Sequence, residues 1–143
     1  ITQDGIESVM CSRADGVGIE RVKGLGIHVV VISAEDSPVV GARCRKLDLH
    51  YFDAVADKLS TLMRYASQLD VVLADIAYVG NDVGDLDCLK AVGHPYVVRD
   101  AEPEVIVYGM QLRRAGGYGA VREVCDKIYQ EATLRGGDAS AVD

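Results

Sequence analysis

The sequence has no tryptophan, one phenylalanine and only 6% aromatic residues. No apolar run approaches the roughly 18 residues that a membrane-spanning helix needs, and no secretory leader is visible. A basic block is also missing. Fifteen Lys and Arg stand against 22 Asp and Glu, for a formal charge of −7 and a pI near 4.9. That balance argues against nucleic acid or an anionic membrane surface as a partner, and the expected location is cytoplasmic. An anionic substrate would need a metal or a local cation to reverse the field. Cys11, Cys44, Cys88 and Cys125 contain no CxxC pair, which makes a zinc site improbable and buried, reduced thiols the plain reading. His28, His50 and His94 are scattered, and none completes a recognisable Ser-His or Cys-His nucleophile pattern.

What remains is ordinary globular material. The chain has 143 residues, 49% of them hydrophobic, enough for one domain with a real core. A start at Ile1 rather than Met is what a segment of a longer protein would show. "TQDGIESVMCSR" reads as a hairpin about the Asp4-Gly5 turn signal. "ADGVGIERVKGLG" reads as a helix capped by Asp15, with Ile19, Val22 and Leu25 on its apolar face and Gly26 at its end. "IHVVVIS" is a β-branched run suited to a strand buried on both faces. Ser37 and Pro38 form a cap and first turn for the next helix. "HYFDAV" is a weak strand, and Asp57 caps the helix "DKLSTLMRYASQL". "IAYV", the helix "DLDCLKAVG", the strand "PYVV", a short helix in "AEPEVIVYG" and an amphipathic "GAVREVCDKIYQEATL" follow. The stretch 135–143 reads as a flexible tail after a domain at 1–134. Alternating strands and helices predict an α/β fold, three-layered and doubly wound (Rossmann-like), with a mainly parallel sheet and a small N-terminal β-hairpin.

Open α/β sheets bind ligands beyond the carboxyl ends of their strands. Three polar stations fall there: Ser33 after "HVVVI", Lys58 at the start of the helix after "HYFDAV", and Asn81, Asp82 and Asp85 after "IAYV". Singly, each has a bland reading. Ser33 can bond its own turn, Lys58 can be a solvated helix lysine, and the acids can cap a helix. Together a hydroxyl, an ammonium and carboxylates are the parts that hold a phosphoryl group beside Mg²⁺.

In this order the stations resemble motifs two, three and four of the haloacid dehalogenase (HAD) superfamily. The closer resemblance is to its small capless branch, which contains 3-deoxy-octulosonate 8-phosphate phosphatases and the C-terminal domain of some acylneuraminate cytidylyltransferases. "RADGVGIERVKGLGIHVVVIS", "YVGNDVGDLDCLKAVGHPYVVRDAEPEV" and "AGGYGAVREVCDKI" carry the resemblance over nearly the whole chain. It implies a HAD-like fold and a Mg²⁺-dependent phosphatase of a keto-sugar acid phosphate. Ser33 and Lys58 would hold phosphoryl oxygens, Asn81 and Asp85 would hold the metal, and Ala34, Asp82 and Gly117 would lie near the substrate. It also implies a homo-oligomer, typically a tetramer whose subunits complete one another's sites. On this reading Lys58→Met in a phosphatase-competent protein cuts turnover by orders of magnitude and leaves the melting temperature nearly unchanged.

Two departures bear on activity. The family's Asp-x-Asp-Gly strand, which supplies nucleophile and proton donor, has no counterpart in these 143 residues: residue 2, two before Asp4-Gly5, is Thr2, not an aspartate. Asn81 stands where the phosphatases usually carry aspartate, a feature shared with the cytidylyltransferase-linked domains. Tyr118 also replaces an arginine common in the "GGxG" loop. The second functional expectation is therefore a non-catalytic domain that assembles a cytidylyltransferase. A receiver-like or flavodoxin-like binding domain explains the alternation of elements but not the three stations.

Overall fold

The structure, a computed structural model, describes residues 2–142, with side chains through Arg135. Helix α1 is Arg13–Gly24, followed by β1 (Val30–Ile32), α2 (Pro38–Lys46), β2 (His50–Phe52) and α3 (Lys58–Gln68). Strand β3 (Ala77–Gly80), α4 (Leu86–Ala91), β4 (His94–Val97), α5 (Pro103–Ile106), β5 (Met110–Gln111) and α6 (Ala120–Val142) complete it. The α/β class and the parallel pairing are as expected. β1 pairs parallel with β2, and β3 with β4 and β4 with β5. The strands make two sheets, β1-β2 and β3-β4-β5, so β1 and β3 each keep one edge unpaired among the described residues.

Helices cover both faces of these half-sheets. On one side α1 and α6 pack together. Ile19, Val22, Cys44, Leu49 and Cys125 form a core with Val29, Val31 and Tyr51, and a second core of Leu89, Val97, Val105, Leu112 and Val124 shares Ile128 with it. On the other side Leu62 of α3, Cys88 of α4 and Val92 just after it enclose Ile32 and Tyr78. β1 thus sends Val31 to one layer and Ile32 to the other, the period of two that an extended chain imposes. Fully burying a side chain such as Leu89 contributes about 2–3 kcal/mol.

The acidic "RADG" stretch has a different use from the one expected. Ser12, not Asp15, caps α1. Asp15 instead accepts a 2.9 Å hydrogen bond from the Arg122 backbone amide, so it caps the first turn of α6 from across the helix pair. Arg122 donates back to the Ala14 carbonyl at 3.3 Å. Gly18 permits this approach: a Cβ there would lie 2.9 Å from both the Arg122 Cδ and the Cys125 Cβ. Much of the "RxDG" and "GAVRE" signature is therefore spent locking α1 to α6.

The N-terminal hairpin forms only as a turn. Gly5 adopts φ +79°, its amide donates to the Thr2 carbonyl, and the Thr2 amide donates to the Ile6 carbonyl. Beyond Ile6 the chain runs to Ser12 with no strand partner among the described residues. At the other end, α6 continues through Val142, across residues read from the sequence as a tail. No helix among the described residues is long and apolar enough to cross a membrane.

Candidate active site

Strand β3 ends at Gly80, and the chain turns through Asn81 and Asp82 into a single 3-10 turn, Val83–Asp85, from which α4 continues. Asp82 caps that turn: its carboxylate accepts from the Val83 amide at 2.6 Å, within a reciprocal capping box with Asp85. The bland reading of the acids therefore holds for Asp82, which is exposed.

Asp85 is different. It folds back over the strand end and is only 3% exposed. Gly80 makes the room, since a Cβ there would meet the Asp85 Cβ at 2.7 Å. Four donors converge on the carboxylate. Oδ1 accepts from the Lys58 Nζ at 2.8 Å and the Tyr78 hydroxyl at 2.6 Å. Oδ2 accepts from the Asn81 amide at 2.9 Å and the Asp82 amide at 3.3 Å. An ionised carboxylate offers about four lone-pair sites, and all are taken. Burial alone would raise the Asp85 pKa, but the hydrogen bonds from Lys58, Tyr78 and the Asn81 amide outweigh it and hold the carboxyl below its ordinary value. Tyr78 is pushed above the usual tyrosine range, first by burial and then by its hydrogen bond to Asp85.

Lys58 reaches the site from the first turn of α3, whose N-cap Asp57 accepts from the Ser60 amide at 3.1 Å. Its side chain is 16% exposed, so it is not a solvated helix lysine. Asn81 is exposed, and its carbonyl accepts from the Glu102 amide at 2.9 Å, tying the β3 end to the start of α5. Ser33 closes β1. Its amide donates to the Phe52 carbonyl, its carbonyl accepts from the Val55 amide, and its Oγ accepts from the Glu35 amide at 3.1 Å. That last bond is the self-capped turn of the bland reading. Ala34 lies exposed in the same turn. Gly117, at φ +77°, sits against the N-terminal arm, where a Cβ would come within 2.7 Å of the Met10 carbonyl oxygen. Lys58, Asn81, Asp82 and Asp85 are thus brought together by direct bonds, while Ser33, Ala34 and Gly117 enter no hydrogen bond with them. Tyr78 was missed. Its signal was a lone hydroxyl in a buried apolar strand, which needs a partner.

The site's oxygen donors suit a hard cation such as Mg²⁺. They are few: among the described residues no group of three His, Cys, Asp or Glu side chains is placed to hold a metal. Asn81 and Asp85 could supply two ligands, with water, phosphoryl oxygen or a further group supplying the rest. Asp85 would have to give up one of its donors. Lys58 is the one free to leave, because the other three are fixed by strand or turn backbone.

No protein-family model matches the chain. It is 35% identical over 116 residues to the 3-deoxy-D-manno-octulosonate 8-phosphate phosphatase KdsC of Escherichia coli, a match covering 80% of this chain. It spans 62% of the length of that curated relative. Among solved structures, an assigned HAD superfamily (subfamily III A) hydrolase of Legionella pneumophila superposes with a TM-score of 0.85 at 33% identity, over 88% of this chain and 70% of that one. The 3-deoxy-D-manno-octulosonate 8-phosphate phosphatase of Moraxella catarrhalis, in complex with magnesium, phosphate and KDO, superposes with a TM-score of 0.88 at 26% identity, over 99% of this chain and 83% of that one. The Gly80-Asn81-Asp82-x-x-Asp85 turn, the Lys58 pairing and these relatives agree: the chain belongs to the HAD superfamily, subfamily III A, in its KdsC-like family.

Proposed function

We propose that this chain provides the phosphoryl- and metal-holding part of a Mg²⁺-dependent phosphatase acting on a keto-sugar acid phosphate, an octulosonate 8-phosphate or a nonulosonate 9-phosphate. The observation that carries the reading is the Lys58–Asp85 pair, 2.8 Å apart and buried at the carboxyl end of β3 beside Asn81. Lys58 neutralises a phosphoryl oxygen when it leaves Asp85. Ser33 offers a hydroxyl and turn amides at the neighbouring strand end. Bound Mg²⁺ supplies charge neutralisation at the phosphoryl oxygens, and Asn81 and Asp85 are the residues that would hold it.

None of these side chains is an attacking group. That role, and protonation of the leaving sugar oxygen, belong on this reading to an Asp-x-Asp-Gly strand, which the 143 residues do not contain. The unpaired edges of β1 and β3 support a place for it. Their carboxyl ends carry Ser33 and Asn81, and both strands lie under the same α3–α4 layer through Ile32 and Tyr78. A parallel strand seated there would bring its aspartates between the two stations. A homo-oligomer, a tetramer on the family pattern, would cover the capless site. The exposed apolar side chains of Ile6, Val9 and Met10 on the N-terminal arm support such an assembly.

A second reading has its own observation. Asn81 leaves the turn one carboxylate short, which suits a domain that assembles a cytidylyltransferase without hydrolysing phosphate. One experiment separates the two. A first strand carrying Asp-x-Asp-Gly on the family pattern is fused ahead of Ile1, and phosphate release from 3-deoxy-octulosonate 8-phosphate and a nonulosonate 9-phosphate is followed with Mg²⁺. We expect none from residues 1–143 alone and metal-dependent release from the fusion, cut by orders of magnitude by Lys58→Met. A fusion that folds and oligomerises yet releases nothing favours the assembly domain. Turnover on the order of 1 s⁻¹ from residues 1–143 alone, within the usual enzyme range, would show that the nucleophile is misplaced, and Asp4, Asp15 and Asp82 would be the residues to test.

A further inference from the structure

We infer that Tyr78 is a positioning residue that keeps the Asp85 carboxylate aimed when Lys58 leaves it for a phosphoryl group. This rests on the reading of Asn81 and Asp85 as metal donors. Oδ2 of Asp85 is tied to two backbone amides, but Oδ1 has only two partners, the Lys58 ammonium and the Tyr78 hydroxyl at 2.6 Å. An ammonium on a four-carbon stem has three donors and can turn one toward an incoming anion. The phenol cannot follow. Its ring is fixed in β3 and packs among Leu62, Cys88 and Val92 under α3 and α4. After the exchange it is the only side chain left on Oδ1, and it is neutral, so it orients the carboxylate without repelling a cation. Phenylalanine would fill the same core position. The hydroxyl's short hydrogen bond, 2.6 Å, goes to Asp85.

Two measurements on the 143-residue chain test this. The first is an unfolding cycle over wild type, Tyr78→Phe, Asp85→Asn and the double variant. A hydrogen bond to a charged group predicts that Tyr78→Phe lowers the folding equilibrium constant about tenfold or more when Asp85 is present, and less than about threefold in the Asp85→Asn background. Equal losses in both backgrounds overturn the inference, because a ring that only packs gives additive effects. The second is calorimetric titration of Mg²⁺ in the presence of inorganic phosphate. In cooperatively folded Tyr78→Phe we expect the Mg²⁺ Kd to rise about tenfold, and an unchanged Kd overturns the inference. Wild type that binds no Mg²⁺ overturns the metal reading of Asn81 and Asp85 instead, and the cycle then decides the role of Tyr78 by itself.

Discussion

Lys58→Met removes an ammonium from a carboxylate that is 5% exposed and keeps most of the apolar stem. Read from sequence, the change touches only turnover. The ion pair makes it a stability change as well. Breaking a buried pair by deleting one partner costs about 3–5 kcal/mol, because the remaining charge is left uncompensated. Asp85 would still accept from Tyr78, Asn81 and Asp82, and hydrogen bonds to a charged group soften the loss. We expect about 2–3 kcal/mol, which in a domain of this size lowers Tm by about 6–12 °C. The effect depends on pH in a defined direction. Asp85's folded pKa is depressed, so the pair's contribution is complete above the unfolded aspartate value of about 4 and is lost as pH falls through the lower, folded value. The Tm gap between wild type and variant should therefore be full at pH 7 and shrink at the acid end. Differential scanning calorimetry from neutral to acid pH measures both. Equal melting temperatures at pH 7, or a gap that does not shrink in acid, would refute the buried pair. In the strand-bearing fusion the same change should also cut turnover by about 10²-fold or more.

Gly80→Ala places a methyl 2.7 Å from the Asp85 Cβ; overpacking of this kind costs about 1–3 kcal/mol, and urea melts should show it together with weaker Mg²⁺ binding. Alkylation at pH 8 should modify Cys11 quickly and leave Cys44, Cys88 and Cys125 untouched until denaturant is added, since Cys11 is exposed and the other three are buried. Burial, with Asp15 and Asp126 nearby, pushes the Cys125 thiol up to about 11, which lowers its thiolate fraction further; mass spectrometry of the labelled protein counts the modified sites.

Much of this arrangement was legible in the chain. Ser37-Pro38 and Asp57 begin helices where helix chemistry says they should, and the Gly80-Asn81-Asp82-x-x-Asp85 spacing marks the turn that follows β3. What was not legible depends on contacts distant in sequence. Asp15 sits in the first turn of its own helix and looks like its cap, but its partner amide is 107 residues away. β5 is two residues, Met110–Gln111, too short for any periodicity, and forms because β4 offers an edge. The split into two sheets follows from which edges find partners, and local pattern carries no information about that. Tyr78 and Asp85 are seven apart across a strand-to-turn junction, so no helical or strand period links them.

The most direct test of the account is a Mn²⁺ titration followed by electron paramagnetic resonance, with Mg²⁺ as competitor, on wild type, Asp85→Ala and Asn81→Asp. If Asn81 and Asp85 are the metal donors and the turn is one carboxylate short, wild type binds weakly and Asp85→Ala loses the site. Asn81→Asp should then tighten it about tenfold, the gain of one nearby charge at an exposed position. Binding that Asp85→Ala leaves intact and Asn81→Asp does not strengthen would contradict the metal site at the end of β3.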